Sequence, residues 1–364
     1  RITLTTTAKG DVSGKLTLET KVYSFRGVLE SSLGSDPQAV MVINRGAGIP
    51  PLTLAVSIHE TSGHLTGTLL EEGELEAIEL AAWRNPWVKG SNPATAYQGG
   101  YRALLEAEAG VHGNAAYPQG NGYGTVTVSE AGAVRWTGKM ADGTSATIAS
   151  TLGPDGQVPL FVTLYSKVNT TAGSVHGWAQ ISSSGQRPMD GSVRWKKQAQ
   201  DPESTAPAYK TGFGSHRLTV VGGAYEAPAA GELVLGLPLV ASNVRMTFAE
   251  AGVGSSERAE DGVISQVLSL LSNHRTGKLT AAQNPSAVTL TVNAKTGFIS
   301  GSFMLKDRDP TDLGPPYRTV ERKAVYNGMV VPRVGKAAGY FLLAPLTGEQ
   351  QLSGQALLES SQPD

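Results

Sequence analysis

Two histidines and a glutamate stand close together in the segment SIHETSGHLTG, residues 57–67, a combination that zinc sites use. Zinc proteases place two His four positions apart on one helix face, with a Glu beside the first His. Here His59 and His64 are five positions apart, Glu60 follows the first, and Gly63 separates two alternating apolar runs. No third ligand stands nearby in the sequence. We therefore predict a β-hairpin here in preference to a metal site.

Acidic side chains offer two further chemistries. Asp307, Asp309 and Asp312 alternate in the segment KDRDPTD and could supply oxygen ligands to Ca²⁺. They are the best metal candidate in the sequence, and calcium is the one cofactor left open. The Gly and the terminal Glu of an EF-hand are missing, so a solvated loop is the favoured interpretation. Many other acids stand in ADG, PDG and EDG tripeptides, which suit hairpin turns better than paired glycosidase carboxylates.

The other histidines give no catalytic constellation. His112, His176, His216 and His274 are scattered, and no nucleophile-elbow motif accompanies them. His176 occupies a position that holds Ser or Thr in related segments, so we expect it to face solvent or a groove. The Gly-rich stretch at 119–124 lacks the Lys and Ser/Thr of a phosphate loop. We predict that the protein is not an enzyme and binds no nucleotide.

The positions of the aromatic residues help to distinguish a carbohydrate-binding surface from an ordinary filled core. Carbohydrate-binding modules present exposed, aligned rings, whereas buried Trp commonly fills a β-barrel or sandwich. We expect most of the tryptophans to lie in the core, and Trp87 and Tyr97, which fall in a loop, to be the most exposed. The five tryptophans are Trp83, Trp87, Trp136, Trp178 and Trp195.

Composition narrows the class of protein. The chain has 364 residues, 40% of them hydrophobic, and 44 glycines, which favours strands joined by tight turns. Lys and Arg (30) nearly balance Asp and Glu (31), so charge gives no reason to expect nucleic acid as a partner. There is no Cys, which excludes disulfides and thiolate chemistry. No apolar run is long enough to predict a transmembrane helix.

The elements that carry these residues follow one repeated pattern. Several segments contain an alternating apolar–polar run, then turn residues, then a second alternating run, which predicts hairpins. Examples are LTTTAKGDVSGKLTL, VTVSEAGAVRWTGKM and LTVNAKTGFISGSFML. A Gly recurs inside the second strand, where it indicates a bend or a large side chain lying over the backbone. These strand glycines are Gly14, Gly67, Gly138, Gly301 and Gly354.

Three meander units, at 1–83, 120–197 and 286–359, predict an all-β fold. Its antiparallel meander repeats would form barrel-like or sandwich domains, two in number. The predicted domains are 1–200 and 213–364, joined by a linker at 201–212 that is polar and lacks periodicity. Two stretches with helix-forming residues, 71–83 and 261–273, stand where the repeat requires strands, and we predict strands for both.

The motif string GYGTVTV, GAVRWTGKMADGT, GQVPLFVTLYS, GSVHGW and GSVRWKK, with TGFISGSF further on, resembles a β-rich module. That module occurs in very large secreted or surface proteins of environmental Gram-negative bacteria, often near the C-terminal end. The resemblance covers most of the chain. It implies an extracellular or cell-surface location, and it transfers no catalytic residue.

These observations predict an extracellular, non-enzymatic structural or adhesive module of a large cell-surface protein. Its partners would be copies of itself or other surface-protein domains, and a glycan is a further possible ligand. Self-assembly could take the form of a filament or a surface layer. The alternative is a carbohydrate-binding module or a polysaccharide-active enzyme. The sequence starts within a strand-like run, so we expect a piece of a longer protein. An unpaired strand over Arg1–Thr7 could then be completed by a neighbouring copy.

Overall fold

The computed structural model describes residues 1–18, 21–31, 35–59, 61–165, 173–201, 204, 206, 208–347 and 350–361. Within these ranges every regular element longer than three residues is a β-strand, and neighbouring strands of the sheets run antiparallel. The predicted all-β antiparallel fold is confirmed. The strands form four sheets, which we describe as three lobes.

The N-terminal lobe contains two sheets that share one apolar core. Three strands pair in chain order in the first sheet and four in the second, and a bridge between Glu30 and Gln38 joins them. Phe25, Met41 and Leu54 are buried in the shared core. The strands are β1 (Ile2–Thr6), β2 (Asp11–Leu18), β3 (Lys21–Val28), β4 (Gln38–Ile43), β5 (Leu52–Ile58), β6 (His64–Glu71) and β7 (Ile78–Trp83).

The middle lobe is an eight-stranded up-and-down sheet that nearly closes into a barrel. Its strands are β8 (Gly99–Ala107), β9 (Gly122–Val128), β10 (Ala133–Lys139), β11 (Ser145–Thr151), β12 (Gln157–Leu164), β13 (Gly173–Ile181), β14 (Met189–Lys197) and β15 (Phe213–Ala224). The last strand pairs with the first, so the ladder is open only between β11 and β12. Pro159 lies on β12, as expected for a strand at an open edge, because Pro has no N–H to donate. Ser150 Oγ donates to the Pro159 carbonyl at 2.6 Å across this seam.

The C-terminal lobe repeats that plan with seven strands. They are β16 (Val244–Glu250), β17 (Ile264–Leu268), β18 (Thr289–Asn293), β19 (Phe298–Arg308), β20 (Thr319–Val331), β21 (Lys336–Leu343) and β22 (Leu352–Ser360). Here β22 pairs with β16, and the sheet is open between β17 and β18. A bridge between Arg275 and Thr291 ties the connecting loop to β18.

The predicted hairpin chemistry is observed. The turn glycines Gly10, Gly63, Gly132 and Gly297 have φ between 67° and 86°, a region that disfavours other residues. The two helix-like stretches contain strands, at β7 and at β17, as predicted. Inside the strands, the ring of Phe25 lies over Gly14 and the ring of Phe341 lies over Gly354. A side chain at either glycine would collide with the ring, which explains why these positions are glycine.

The middle and C-terminal lobes share buried contacts. The rings of Tyr123 and Tyr340 stack with centroids 6.1 Å apart, and the Asn121 N–H donates to the Gly339 carbonyl at 3.0 Å. Residues of β20 and β21 are buried in the same core as the middle lobe. The division into domains 1–200 and 213–364 stays a prediction. Strand pairing continues across the predicted linker, because β15 pairs with β14 and β8.

Candidate functional site

A buried ion pair fixes the end of β14 in the middle lobe. Lys197 Nζ donates to Asp142 Oδ2 at 3.0 Å and to the Ala208 carbonyl at 2.7 Å, and both charged side chains are 0% exposed. Tyr165 Oη donates to the same carboxylate at 2.8 Å. Burial, and then the charge of Asp142, raise the pKa of Tyr165 well above its ordinary value. Solvent reaches neither charged side chain, so we assign the pair a structural role.

The interior of the middle lobe is filled by side chains. A cavity of about 10 Å³ remains between the indole of Trp136 and the aliphatic side chains around it. That volume accommodates one water molecule at most. This cavity is therefore too small for a small-molecule ligand.

The outer face of the middle lobe carries basic side chains in one row across three strands. On β13, His176 stands directly opposite Arg194 of β14, and Arg194 stands opposite Arg217 of β15. All three are exposed. Side chains in directly opposite positions lie about 5 Å apart, and like charges placed so destabilise a sheet. We call His176, Arg194 and Arg217 the basic row.

The acids of this face are engaged elsewhere. Asp190 Oδ1 accepts from Arg333 of the C-terminal lobe at 2.5 Å, and Glu106 pairs with Lys336 at 3.0 Å. Glu108 accepts a hydrogen bond from the backbone N–H of Arg217 at 3.0 Å. Within the described part of the chain, neither guanidinium of the basic row forms an ion pair of its own. The C-terminal lobe thus pairs with Asp190 and Glu106, whereas Glu108 lies beside Arg217.

An exposed tryptophan borders the basic row. Trp178 lies two positions from His176 on the same face and is 44% exposed. Trp83 of the N-terminal lobe packs against it, with ring centroids 5.2 Å apart. Phe161 stands opposite His176 on β12, so aromatic side chains flank one end of the row. This combination of flat rings and fixed positive charge suits a ligand with both apolar faces and anionic groups.

The positive charge around His176 is reflected in its titration. Burial, then Lys196, then Arg194 lower the pKa of His176 below its ordinary value. The imidazole is therefore neutral near pH 7, and the permanent charges of the row are its two arginines.

A second feature is the free edge of β1. The odd-numbered residues bond to β2, since Arg1 accepts a hydrogen bond from it and Thr7 donates one to it. In an antiparallel ladder the alternate residues point away, so the N–H and C=O groups of Ile2, Leu4 and Thr6 face the other side. Among the described strands, only β2 pairs with β1.

The hairpin predicted at 57–67 is present. Strands β5 and β6 pair in register around a turn at Gly63. His59 Nδ1 lies 2.6 Å from Asp36 Oδ2, and His64 begins β6. Glu60 lies outside the described residues.

The three aspartates of the predicted calcium site are not brought together around a common point. Asp307 is buried and pairs with Arg322 Nε at 2.8 Å, whereas Asp309 and Asp312 lie in the following loop near Arg318. The period-two alternation of β19 turns the first carboxylate inward. Over the ranges that the structure describes, no group of three or more His, Asp or Glu side chains could hold a metal ion. Calcium binding by Asp307, Asp309 and Asp312 stays a prediction, without support from this geometry.

The aromatic prediction was right for two tryptophans and wrong for the loop. Trp136 and Trp195 are buried in the middle lobe, as expected. Tyr97, expected to be exposed, is 9% exposed. Trp87 is half-buried, and its Nε1 donates to the Leu152 carbonyl at 3.0 Å. The exposed ring is Trp178, because its position on β13 points outward.

Sequence analysis missed the two arginines of the basic row. His176 was expected to face solvent, and it does. Arg194 and Arg217 were not singled out, because their alignment depends on strand register across β13, β14 and β15. An Arg at an outward position of each of two consecutive strands was the available signal.

Comparisons with known proteins give no family. No protein-family model and no curated protein matches the chain. Among solved structures, it is similar to an intact Ap-TbpB containing N and C lobes, at 10% identity over 97% of this chain and 64% of that one, with a TM-score of 0.21. A double mutant of the vaccine antigen Transferrin Binding Protein B from Haemophilus parasuis Hp5 matches at 8% identity, over 97% and 63%, with a TM-score of 0.20.

The chain thus spans less than two thirds of the length of both proteins. Likeness at this level carries no argument about function. A search for membrane-crossing helices in the described residues found none of sufficient length and apolarity.

Proposed function

We propose that this chain is an extracellular, non-enzymatic structural or adhesive module of a large cell-surface protein, and that it associates with copies of itself through the free edge of β1. The observation that carries the proposal is that edge. The segment from Ile2 to Thr7, ITLTTT, contains no charge and no Pro, the two devices that commonly protect edge strands.

The other strand ends of the molecule are less available. The seams between β11 and β12 and between β17 and β18 lie within curved sheets, and Pro159 interrupts the first. The edge of β7 carries Glu79, and Trp83 at its end packs on the middle lobe. A strand from a second copy that pairs with β1 would gain a ladder of main-chain hydrogen bonds.

The filled interior of the middle lobe supports the same assignment. The cavity beside Trp136 holds one water at most and cannot carry a small molecule, which supports a role for the surface and edges of the lobe. The resemblance to modules of large secreted proteins, based on the GYGTVTV and GSVRWKK motifs, supports the extracellular location. The alternative of a glycan-binding module is supported by the exposed ring of Trp178.

The test is assembly as a function of concentration, followed by light scattering and negative-stain electron microscopy. Thr6→Pro removes one outward N–H without touching the bonds between β1 and β2, and edge strands tolerate Pro there. Thr6→Ala is the matched control. We expect the wild type and T6A to form filaments or sheets as concentration rises, and T6P to stay monomeric. A wild type that is monomeric throughout, or T6P assembly equal to wild type, would contradict the proposal.

A further inference from the structure

We propose that the basic row and Trp178 form a binding site for an acidic polysaccharide, a sugar chain bearing sulfate or carboxylate groups. The site is independent of β1 and of self-assembly. It lies on the outer face of β13, β14 and β15, where the structure places fixed positive charge beside an exposed aromatic ring.

The charges are arranged for an extended ligand. Arg194 and Arg217 stand in opposite positions on neighbouring strands, so the row runs across the sheet with a spacing of about 4.8 Å per strand. Guanidinium groups bind carboxylate and sulfate-like oxyanions through paired hydrogen bonds. His176 extends the row by one strand and offers a ring nitrogen for hydrogen bonding.

The cost of placing like charges together indicates that the row has a partner. Cations in facing positions destabilise the sheet. Asp190 and Glu106 pair with Arg333 and Lys336, and Glu108, which directly follows β8, lies beside Arg217 and ends the row there. An anionic ligand would supply the counter-charge that Arg194 lacks among the described residues.

The aromatic ring selects the class of anion. Trp178 stands opposite Pro159 and Ser192, and Ser192 adds a hydroxyl; Trp83 packs against the indole, which stays 44% exposed. Sugar rings have an apolar C–H face that stacks on indole, and their hydroxyls bond to side chains such as Ser192 and Gln180. Acidic peptides would use the arginines alone, whereas the bases of a single-stranded nucleic acid can also stack on indole, so DNA is the competitor that the test must separate. An acidic polysaccharide uses both parts of the surface.

The experiment measures binding of dextran sulfate and polygalacturonate to the full chain by calorimetry, with neutral dextran as the uncharged control. Poly-L-glutamate and single-stranded DNA serve as non-sugar polyanions. We expect both acidic polysaccharides to bind, with affinity falling as salt rises. The double variant R194Q/R217Q should bind at least about tenfold more weakly, because two charge-assisted contacts are lost.

Matched variants separate the site from general charge. Arg135 is exposed on β10 and stands opposite Thr127 and Ala149, outside any basic row, so R135Q removes charge without touching the site. W178L should weaken binding of the polysaccharides and leave binding of poly-L-glutamate unchanged.

Three results would overturn the proposal. The first is no binding of either acidic polysaccharide, and the second is an equal loss of affinity in R135Q. The third is binding of poly-L-glutamate or DNA as tight as that of the acidic polysaccharides. Failure of this site leaves the assembly result for T6P unaffected, so the two proposals are tested separately.

Discussion

The middle and C-terminal lobes share one sheet architecture but contain different buried ion pairs. Both are up-and-down sheets closed by pairing of their first and last strands, and both bury a carboxylate with a cation. In the middle lobe, Lys197 joins Asp142 over 55 positions of sequence, with both side chains fully buried. In the C-terminal lobe, Arg322 is 13% exposed and meets Asp307 within the single β19–β20 hairpin.

The two ion pairs hold together different parts of their lobes. The Lys197 ammonium links the β10–β11 turn, the end of β14 and the segment at Ala208, so it fixes parts of the lobe that are distant in sequence. The Arg322–Asp307 pair lies within one hairpin that its backbone ladder already holds, and its links to other segments are single hydrogen bonds from Ser255 Oγ to Asp307 and from Arg322 to the Ala344 carbonyl. Both carboxylates are 0% exposed, but the partly exposed position of Arg322 gives water a route to Asp307 once the guanidinium is removed, so we expect a smaller loss there.

Removing the cation of each pair gives the largest expected effect. Lys197→Met leaves the buried charge of Asp142 without a counter-ion, and we expect it to destabilise the middle lobe by about 3–5 kcal/mol. Arg322→Met should cost the C-terminal lobe less, about 1–3 kcal/mol.

Hydrogen exchange resolves the two lobes, and tryptophan fluorescence reports the N-terminal and middle lobes but not the C-terminal lobe, since no Trp lies beyond residue 195. Equal losses for K197M and R322M would erase the distinction. The double variant K197M/D142L serves as the control, because it removes both charges and should recover much of the lost stability.

Glycines under aromatic rings give the next largest effect. A Cβ at Gly124 would collide with the Trp136 indole in the middle lobe, and one at Gly354 with the Phe341 ring in the C-terminal lobe. We expect Ala at either position to destabilise its own lobe by about 1–3 kcal/mol. Gly110, where an added Cβ meets nothing within 4 Å, is the control and should change little. A strong effect of G110A would show that backbone entropy, and not ring contact, governs these positions.

The smallest expected difference between the lobes is in the loss of their stability as the pH falls. His216 of the middle lobe is 2% exposed among the rings of Tyr117, Trp195 and Phe213, and burial lowers its pKa. Burial also lowers the pKa of His274 in the C-terminal lobe. The unfolded chain binds these protons first, so the stabilising contribution is complete above about pH 6.5 and is lost as pH falls below it.

His216→Phe should flatten the pH dependence of middle-lobe stability between pH 6.5 and lower pH. The paired variant His274→Asn should do the same for the C-terminal lobe, and Asn suits the positive φ there, 58°. Thermal melts across this pH range measure both. An unchanged slope in H216F would assign the acid sensitivity of the middle lobe to its carboxylates.

The local parts of the fold were predictable from sequence. A hairpin depends on alternation and on a turn glycine, and both are visible at Gly63 and Gly132. The same parity rule could have placed Asp307 inside, since it continues the inward series of Phe303 and Leu305. The prediction of a loop at KDRDPTD missed that β19 continues through Asp307.

The closures and the candidate site were not predictable in this way. The pairing of β15 with β8 joins Leu218 to Ala107, and no local pattern marks such a distant contact. The basic row requires the registers of three strands at once, so Arg194 and Arg217 look like ordinary surface residues in the sequence. Tyr97 is buried although it stands in a loop, because that loop packs against the middle lobe.

The closing pairs also determine how each lobe responds to mechanical tension. Tyr101 stands opposite Ala224, and Val244 stands opposite Ser360, so the chain enters and leaves each lobe at facing residues. A pull along the chain therefore loads the closing ladder from one end, and its hydrogen bonds separate one at a time at low force. Full opening of the middle lobe would release roughly 400 Å of extended chain, at about 3.4 Å per residue. Each lobe therefore stores chain length that tension on its two ends can release.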